Sequence, residues 1–569
     1  MNDFSNLFIG FSLLIFFSCS GDPDYNGGGF TGGNTLKVCE QGNSSGAVKE
    51  PQFMMNLKGQ TGWFASPLVA DLDNDGQNEI IAAYYDIYVH DDSGEIIVRT
   101  EDQNSRVYAP HVVTDLDGDG IIEIIAGRGA YVFVWEYIGL NLISKDGWPA
   151  KASIENDDPE IRGLAVADLD NDGLKEIAVT TTQTIDEEEG GSQVYVFDSH
   201  GLVYQPVNGH EPAWPRYNAL PGEGNDAQRN GAGHHGYGCY GLNIGIGNLD
   251  NDAEQEILVT YDNHHIQLFE HDGVAVDTAP WFSNRESEYE GNRLTWGQFI
   301  RWADPKVEED HYHLHEGQWP HPDWTEWLQW TASPPSIADL DLDGQNEVIG
   351  VPNLEMHTPY QTQAYGIFVL NGNYQAELSG RRKSGWKEIP RGDSPLEVEG
   401  WYPPKGITAP AIANINGDEK PEIVVSLNDG FMWAFTATGE VLWRHNYRHG
   451  RYLMYSSEPV IADLNQDGSP EIVFTTFGKP DDKAGYLVIL AANGEKLWDL
   501  PLPNPGNNGN GNGSPSAPTI SDLNGDGQLE ILVQTFDHGL DIFTVPDSSS
   551  NCILWSTSRG NNLRTGSTI

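Results

Sequence analysis

Short apolar stretches and acidic turns alternate along most of the chain. An apolar stretch that often begins with Pro runs into an acidic turn, as in SPLVAD, PPSIAD and EPVIAD, and a second apolar stretch such as EIIAAY or EIVVSL follows. Beyond it, stretches such as IYVHDDSGEI and VYVFDSHGLV alternate apolar and polar positions and end near a turn Gly. A period of two residues is typical of half-buried strands. Each unit therefore predicts a strand, an acidic loop, two strands, a turn and a fourth strand.

Such a four-stranded antiparallel unit cannot bury both of its faces alone, and radial stacking of several units produces a β-propeller. The composition agrees, because 64 Gly, 33 Pro, 17 Trp, 23 Tyr and 20 Phe are typical of many short strands joined by tight turns. We therefore predict an all-β fold with a single β-propeller. The eight units predict eight blades, and seven blades, with one loop attached to a shared blade, are the alternative.

Eight acidic turns share one pattern, from DLDNDGQNEI at Asp71 to DLNGDGQLEI at Asp522. Oxygen-bearing side chains occupy positions 1, 3 and 5, Glu occupies position 9, and Leu or Ile occupies position 2. Calcium takes about six to eight oxygen ligands, which a tight loop can present, and Gly at position 6 permits the sharp turn. We therefore predict several calcium ions. Their ligands would be Asp71, Asp73, Asp75, Glu79, Asp115, Asp117, Asp119, Glu123, Asp168, Asp170, Asp172, Glu176, Asn248, Asp250, Asp252, Glu256, Asp339, Asp341, Asp343, Glu347, Asn414, Asn416, Asp418, Glu422, Asp463, Asn465, Asp467, Glu471, Asp522, Asn524, Asp526 and Glu530.

The eight loops are unequal. Two of them begin with Asn248 and Asn414 instead of Asp, and they carry Ala253 and Glu419 where the others have Gly. We expect these two loops to bind calcium most weakly or not at all.

The pattern P-x-I-A-D-L-D-x-D-G-x-x-E-I resembles the FG-GAP and VCBS repeats of bacterial surface and secreted proteins, which are related to the integrin α-subunit propeller. The resemblance covers about residues 60 to 545 and is specific in the loops. It implies calcium-bearing propeller blades, with the ligands at the positions named above. The ending WSTSRGNNLRTG resembles closing segments that are common in such chains.

The N-terminal residues predict export. The apolar run from Leu7 to Phe17 is too short to span a bilayer and is similar to the centre of an export signal. With the following Ser18-Cys19 and a Gly-rich stretch, it resembles a bacterial lipoprotein signal, which implies that Cys19 carries a lipid. We therefore divide the chain into a signal (1–19), a tether (20–46) and the propeller (47–569), exported and lipid-anchored at the cell envelope. A cleaved signal and a secreted protein are the alternative.

The net charge limits the kinds of partner that the protein can bind, and the cysteine content limits the disulfides that it can form. With 84 acidic and 31 basic side chains the formal net charge is -53, which disfavours binding to nucleic acids or to membranes other than through a lipid. No Gly-rich phosphate loop precedes a helical pattern, so nucleotide binding is not expected. Of the remaining cysteines, Cys39 and Cys552 could form a disulfide if the fold brings the chain ends together, and three unpaired thiols, including Cys239, are the alternative.

Three spacings between acidic loops are too long for a bare blade, and we place insertions at residues 204–240, 275–333 and 375–407. In an up-and-down blade these connections all lie on the face opposite the acidic loops. Long loops in a compact domain are usually functional. Residues 281–330 hold seven of the 17 Trp, and disordered segments are poor in aromatic residues. We therefore expect the insertions to form a cleft.

Three hypotheses compete for this cleft. In the first, Trp319, Trp324 and Trp327 stack on sugar rings, which makes the protein a binding or adhesion module for a glycan or a cell-surface protein; packing of these Trp inside the insertions is the alternative. In the second, the His-rich segment binds a second, transition metal such as zinc or carries out acid–base chemistry, with solvated His as the alternative. Its residues are His311, His313 and His315.

The third hypothesis is catalytic. A calcium propeller with loops over one face resembles the eight-bladed rhamnogalacturonan lyases, although their surrounding motifs are missing from this sequence. The resemblance implies β-elimination with His235 or Tyr237 as the base and Arg301 as the carboxylate clamp. We favour the binding module, with a polysaccharide lyase or another carbohydrate-active enzyme as the alternative.

Overall fold

The computed structural model describes residues 37–43, 46–59, 62–100, 105–153, 159–182, 194–204, 241–250, 252–260, 266–274, 276, 326–329, 333–356, 364–376, 382–386, 390–392, 407, 409–450, 454–478, 485–503, 511–550 and 552–568, of which 326–329, 353–356 and 364 are described by their backbone alone. Among these residues only strands, turns and irregular segments occur, and no α-helix forms.

The strands form small antiparallel sheets in chain order, and eight of these sheets contain one acidic loop each. We number these sheets 1 to 8, and each loop takes the number of its sheet. The loops begin at Asp71, Asp115, Asp168, Asn248, Asp339, Asn414, Asp463 and Asp522.

The N-terminal half contains sheets 1 to 4. After β1 (Gln52–Leu57), sheet 1 comprises β2 (Leu68–Ala70), β3 (Glu79–Ala83), β4 (Ile87–His90) and β5 (Ile96–Arg99); sheet 2 comprises β6 (Val112–Thr114), β7 (Glu123–Arg128), β8 (Tyr131–Ile138), β9 (Asn141–Ser144) and β10 (Ala150–Lys151); sheet 3 comprises β11 (Ile161–Ala167), β12 (Glu176–Thr181) and β13 (Val194–Phe197); and sheet 4 comprises β14 (Ile244–Gly247), β15 (Glu256–Thr260) and β16 (Ile266–Phe269).

The C-terminal half contains sheets 5 to 8. A separate small sheet comprises β17 (Glu326–Gln329), β20 (Asn353–Met356) and β21 (Ala364–Tyr365); sheet 5 comprises β18 (Ser336–Ala338), β19 (Glu347–Gly350) and β22 (Phe368–Asn371); sheet 6 comprises β23 (Ala411–Ala413), β24 (Glu422–Ser426), β25 (Phe431–Phe435) and β26 (Val441–Asn446); sheet 7 comprises β27 (Tyr455–Ser456), β28 (Val460–Ala462), β29 (Glu471–Gly478), β30 (Tyr486–Leu490), β31 (Lys496–Pro501) and β32 (Asn512–Gly513); and sheet 8 comprises β33 (Thr519–Ser521), β34 (Leu529–Gln534) and β35 (Leu540–Val545), with β36 (Ile553–Trp555) following.

These sheets are arranged in a ring. Successive sheets contact each other through their first two strands, and β33 of sheet 8 contacts β2 of sheet 1. The ring is closed by β1, which pairs antiparallel with β35 and so joins the N-terminal strand to the C-terminal sheet. Buried apolar side chains fill the space between neighbouring sheets. The predicted all-β propeller is confirmed, and each of the eight acidic loops joins the first two strands of its own sheet.

The C-terminal segment fills the centre of the ring. Backbone N–H groups on the first strands of sheets 3, 4 and 5 donate to carbonyl oxygens of this segment, in the pairs Val166 to Leu563, Ile246 to Thr565 and Ile337 to Gly566, each at 3.0 Å. The strand β36 pairs with β28 of sheet 7. The tail therefore satisfies hydrogen-bonding groups that the inner strand edges would otherwise expose.

Two buried arginines fix this segment. Arg564 is fully buried and donates from Nε to the carbonyl oxygen of His111 at 3.0 Å and from Nη2 to that of Ser66 at 3.2 Å, which ties the tail to sheets 1 and 2. Arg559 donates from Nη2 to the carbonyl oxygens of Ile244 and Pro335. Every one of these acceptors precedes or lies on the first strand of a sheet.

A disulfide joins Cys39 to Cys552, with Cα atoms 5.5 Å apart. The adjacent Gly42 donates its N–H to the carbonyl oxygen of Gln466 in loop 7 at 2.9 Å. The beginning of the described chain is thus fixed beside the entry of the tail into the ring, and of the two alternatives for these cysteines the structure has the paired one.

The two faces of the ring differ. The acidic loops lie on one face, and loops 1, 3, 4 and 5 are each linked to the preceding loop, because their position 8 side chain donates to its position 1 carbonyl oxygen. Asn78 reaches Asp522 at 2.8 Å, and Lys175 reaches Asp115 at 2.7 Å. Connections from second to third strands and between sheets leave from the other face, which we call the insertion face. Most of the predicted insertions lie outside the described residues.

We expect Arg564→Ala to lower the free energy of unfolding by about 3–5 kcal/mol, because it leaves several buried acceptors without a donor and opens a cavity at the centre of the ring. Denaturant or thermal unfolding would measure this loss. The control is Arg99→Ala on the outer strand β5, where Arg99 is exposed and a change within about 0.5 kcal/mol is expected. Equal effects of the two substitutions would contradict a central role for the tail.

Candidate metal centres

The acidic loops are shaped by their own carboxylates. In loop 1 the position 1 side chain, Asp71, accepts the N–H of Asp75 at 3.0 Å and that of Gly76 at 2.8 Å. Loops 3 and 5 repeat the arrangement. Gly76 has φ +87, a left-handed conformation that favours Gly. In loop 6 Glu419 has φ 78 at the same position, so that loop holds a non-Gly residue in a strained conformation.

Glu at position 9 has a structural role that the sequence did not reveal. In all eight loops its Oε2 accepts the backbone N–H of position 2, as Glu79 does from Leu72 at 2.8 Å and Glu530 does from Leu523 at 2.9 Å. The other six bonds are equivalent. This bond joins the start of the loop to the second strand and leaves Oε1 for other partners.

The predicted ligands converge in five loops. Three carboxylate oxygens lie within 4.8 Å of one another in each cluster. The clusters are Asp71, Asp73 and Glu79; Asp115, Asp117 and Glu123; Asp168, Asp170 and Glu176; Asp250, Asp252 and Glu256; and Asp339, Asp341 and Glu347. Loop 4, which we expected to be among the weakest, thus contains a full cluster even though it begins with Asn248.

Several carboxylate oxygens of the acidic loops, inside and outside the five clusters, lack a hydrogen-bond partner in the described part of the chain. Glu256 Oε1 in loop 4 is buried without a hydrogen bond, and so are Asp522 Oδ1 and Glu530 Oε1 in loop 8. Burying such an oxygen costs free energy unless a donor or a cation compensates it. The donor set therefore fits a metal ion at these loops, and only oxygen atoms are offered to it.

Burial makes these glutamates weak acids in the absence of an ion. Loss of water contact raises the pKa of Glu79 to about 7 and that of Glu176 to about 8, against the lowering effect of the backbone hydrogen bond that each accepts. It raises the pKa of Glu471 to about 8 and that of Glu256 to about 9. Neighbouring aspartates of the same loop raise each of these pKa values further. A cation would reverse this effect.

Two of the five clusters already contain a cation of the protein. In loop 2 the Nζ of Lys145 lies 2.8 Å from Asp117 Oδ2 and 2.8 Å from Glu123 Oε1. In loop 5 the Nζ of Lys383 lies 2.8 Å from Asp341 Oδ2 and 2.6 Å from Glu347 Oε1. The predicted ligands at positions 3 and 9 are thus brought together in both loops, but around an ammonium group.

Amide and hydroxyl groups contact other loops. In loop 6 Asn416 Nδ2 donates to Glu422 Oε1 at 2.8 Å and to Asp418 Oδ2 at 3.0 Å, so an amide fills part of the loop that we expected to be weak. In loop 3 the hydroxyl of Tyr204 donates to Asp170 Oδ2 at 2.9 Å. Tyr374 donates in the same way to Asp250 of loop 4 at 2.7 Å.

The insertion face carries arginine and aromatic residues. The Arg106 guanidinium lies 5.1 Å from the ring centroid of Trp63 and 5.3 Å from that of Tyr85. The Arg162 guanidinium lies 3.9 Å from the centroid of Tyr108, whose ring is 6.1 Å from that of Trp63. We call these five residues the arginine–aromatic cluster. All of them precede first strands, begin one, or connect a second strand to a third, which places them opposite the acidic loops.

The cluster contains groups without hydrogen-bond partners. Within the described residues, Arg106 Nε and Trp63 Nε1 are buried and unbonded. Arg162 is paired with Glu160. This cluster cannot be recognised in the sequence, because its members are far apart in the chain and belong to no repeated motif.

The remaining predicted site residues cannot be placed. Cys19, His235, Tyr237, Arg301, His311, His313, His315, Trp319 and Trp324 lie outside the described residues. Trp327 lies on β17, which is described by its backbone alone. The stacking, zinc and lyase hypotheses therefore stay predictions. The described part of the chain contains no helix long and apolar enough to cross a membrane.

Comparison with known proteins supports the repeat in two parts of the chain. The FG-GAP-like repeat family matches residues 115–179, which include loops 2 and 3, and residues 463–533, which include loops 7 and 8. A search of the curated proteins finds no match.

Solved structures similar to this chain are remote. The Dos1 propeller is 11% identical with a TM-score of 0.39, and covers 87% of this chain and 95% of its own. BBS1N in complex with ARL6DN, soaked with lead, is 10% identical with a TM-score of 0.37. The match covers 88% of this chain and 98% of that one. The quinohemoprotein alcohol dehydrogenase ADHIIG from Pseudomonas putida HK5 is 10% identical with a TM-score of 0.38. The match covers 89% of this chain and 77% of that one. Likeness this weak carries no inference about activity. Residues 115–179 and 463–533 thus contain FG-GAP-like repeats, and the sheets of the described residues form a β-propeller.

Proposed function

We propose that this protein is an exported, calcium-stabilised β-propeller that binds a carboxylate-bearing glycan at the cell surface through its insertion face. The observation that carries the binding proposal is the arginine–aromatic cluster. It places a half-buried guanidinium, whose buried Nε has no partner among the described residues, between aromatic rings on the face from which the insertions leave.

The chemistry of this cluster suits an acidic sugar. A guanidinium binds a carboxylate through paired, charge-assisted hydrogen bonds, and an aromatic face stacks against the apolar side of a sugar ring. Because the whole chain carries a formal net charge of -53, long-range attraction of a polyanion is not available. Binding would therefore depend on close contacts, and salt that screens beyond about 8 Å would not abolish it.

Calcium is the metal that we propose for the acidic loops whose carboxylates have no lysine between them, such as loops 1 and 3. Their donors are carboxylate and carbonyl oxygens without nitrogen or sulfur, which suits a hard cation such as calcium. The carboxylates of loops 1 and 3 would hold the ion, whose charge would offset their mutual repulsion. Export agrees with this role, since disulfides such as Cys39–Cys552 persist in oxidising compartments, where calcium is also plentiful.

Calcium should raise the melting temperature, and the increase should grow with pH. Each site filled at a hundred times its dissociation constant adds about 2.7 kcal/mol. In a chelator, Glu79 and Glu176 have pKa values of about 7 and 8 in the fold, above the unfolded value of about 4.3. Proton uptake therefore favours the ion-free fold, which loses stability as the pH rises through about 7 to 8.

Calorimetry with calcium or with chelator, at pH 6 and pH 8.5, measures both effects. With calcium bound these glutamates are already ionised. The decrease in melting temperature from pH 6 to pH 8.5 should therefore be much smaller with calcium than with chelator. Identical melting with and without calcium at pH 8.5 would contradict the proposal.

Arg106→Ala should weaken binding to polygalacturonate by about tenfold or more, the loss expected for one charge-assisted hydrogen bond of about 1.5–3 kcal/mol. The matched control is Arg444→Ala, which removes an exposed arginine that lies 4.9 Å from the Phe431 ring centroid on the outer strand β26. Calorimetric titration would measure affinity, with neutral dextran as the reference polymer. Equal affinity for both polymers, or equal effects of both substitutions, would rule out this site. An unsaturated, ultraviolet-absorbing product would indicate a lyase.

Lipid anchoring is proposed from the sequence around Cys19. In a bacterial host, Cys19→Ala should abolish labelling by a fatty-acid analogue and move the protein from the membrane fraction to the soluble fraction, whereas Cys239→Ala should do neither. An unlabelled parent protein would show instead that the signal is simply cleaved.

A further inference from the structure

Loops 2 and 5 differ from the other acidic loops in what compensates their charge. The lysine ammonium in each loop contacts one oxygen of the position 3 aspartate and Oε1 of the position 9 glutamate. In loop 2 the Nζ of Lys145 also lies 3.0 Å from Glu136 Oε1 on β8. These are the oxygens at which the repeat would hold a divalent ion.

The two lysines come from the same sequence motif, K-x-G-W. It reads Lys145-Asp146-Gly147-Trp148 in sheet 2 and Lys383-Ser384-Gly385-Trp386 in sheet 5. The motif directly follows β9 in sheet 2 and comes after β22 in sheet 5. In both sheets it lies against the third strand, because Lys145 N–H donates to the carbonyl oxygen of Val134 and Lys383 N–H to that of Val369. The same local structure thus delivers the same side chain to two separate loops.

The Trp of each motif fixes the lysine in place. The Trp148 backbone N–H donates to the carbonyl oxygen of Lys145 at 3.2 Å, and its indole Nε1 donates to that of Ser199 in sheet 3 at 3.4 Å. Trp386 does the same for Lys383 at 3.0 Å, and its Nε1 donates to Ala437 in sheet 6 at 2.9 Å. Each lysine is therefore held by a turn that is attached to the next sheet.

Space and charge exclude a second cation. Calcium binds its oxygen ligands at about 2.3–2.6 Å, so it would need the positions that the two ammonium groups occupy. Both lysines are buried, and each is surrounded by carboxylates that it already bonds. Loops 1 and 3 have the same carboxylate clusters but no lysine among the described residues that contact them.

We propose that Lys145 and Lys383 replace the metal ion in loops 2 and 5, so that these loops are closed permanently and bind no divalent cation. Of the eight repeats, at most six then take calcium. This inference rests on the proposed calcium role of the other loops, and its experiment must separate the two.

The experiment counts bound calcium by equilibrium dialysis on the full chain. Lys145→Met and Lys383→Met should each add one ion per chain, and the double variant should add two. The control Lys496→Met removes an exposed lysine that pairs with Asp499 at 2.6 Å, away from the loops, and should add none. In chelator the two loop variants should have lower melting temperatures than the parent protein. Calcium should bring their melting temperatures back towards that of the parent.

A second pair of substitutions tests the parent loops in case the lysine variants do not fold. Asp73→Asn and Asp117→Asn neutralise position 3 in loops 1 and 2. The first should remove one bound ion, and the second should leave the count unchanged. Eight ions on the parent chain, unchanged counts in the folded lysine variants, or loss of an ion from Asp117→Asn would overturn the inference. A parent chain without any bound calcium would instead refute the proposed calcium role of the loops.

Discussion

The hydrogen bond from the position 2 N–H to Oε2 of the position 9 glutamate is the interaction on which the repeated structure depends. It occurs in all eight loops and joins the end of each first strand to the start of the second. Because one carboxylate oxygen is used in this way, the other is directed into the loop. The glutamate is therefore a structural element first, and the cation completes an arrangement that the backbone has already positioned.

The protein separates its two kinds of chemistry by face. Strand order alone sends every acidic loop to one face and every connection between sheets to the other. The carboxylates of the eight acidic loops lie on one face, whereas Arg106 and Arg162 lie on the insertion face beside aromatic rings. Two guanidinium groups and three aromatic rings thus lie together on the insertion face, even though the chain as a whole is strongly acidic.

Much of the fold could be predicted because it repeats. The apolar frame around DxDxDG recurs eight times, so strands, loops and ring followed from the sequence. What fills each loop could not be predicted in this way, since Lys145, Lys383 and Tyr204 lie in connecting segments outside the loops and meet them only through tertiary packing. The arginine–aromatic cluster is similarly non-local. Arg559 and Arg564 also gave no signal by themselves, because two arginines near a chain end would normally be exposed.

The tail in the centre of the ring constrains how the molecule is made. Strand β1 can pair only after β35 has been synthesised, and Cys39 can pair only after Cys552. The inner strands bond residues 563–566, which follow all eight sheets in the chain. Until then the nascent chain can form individual sheets but cannot complete its native assembly. Closure of the ring therefore has to follow the synthesis of residues 540–566, which supply β35 and the tail.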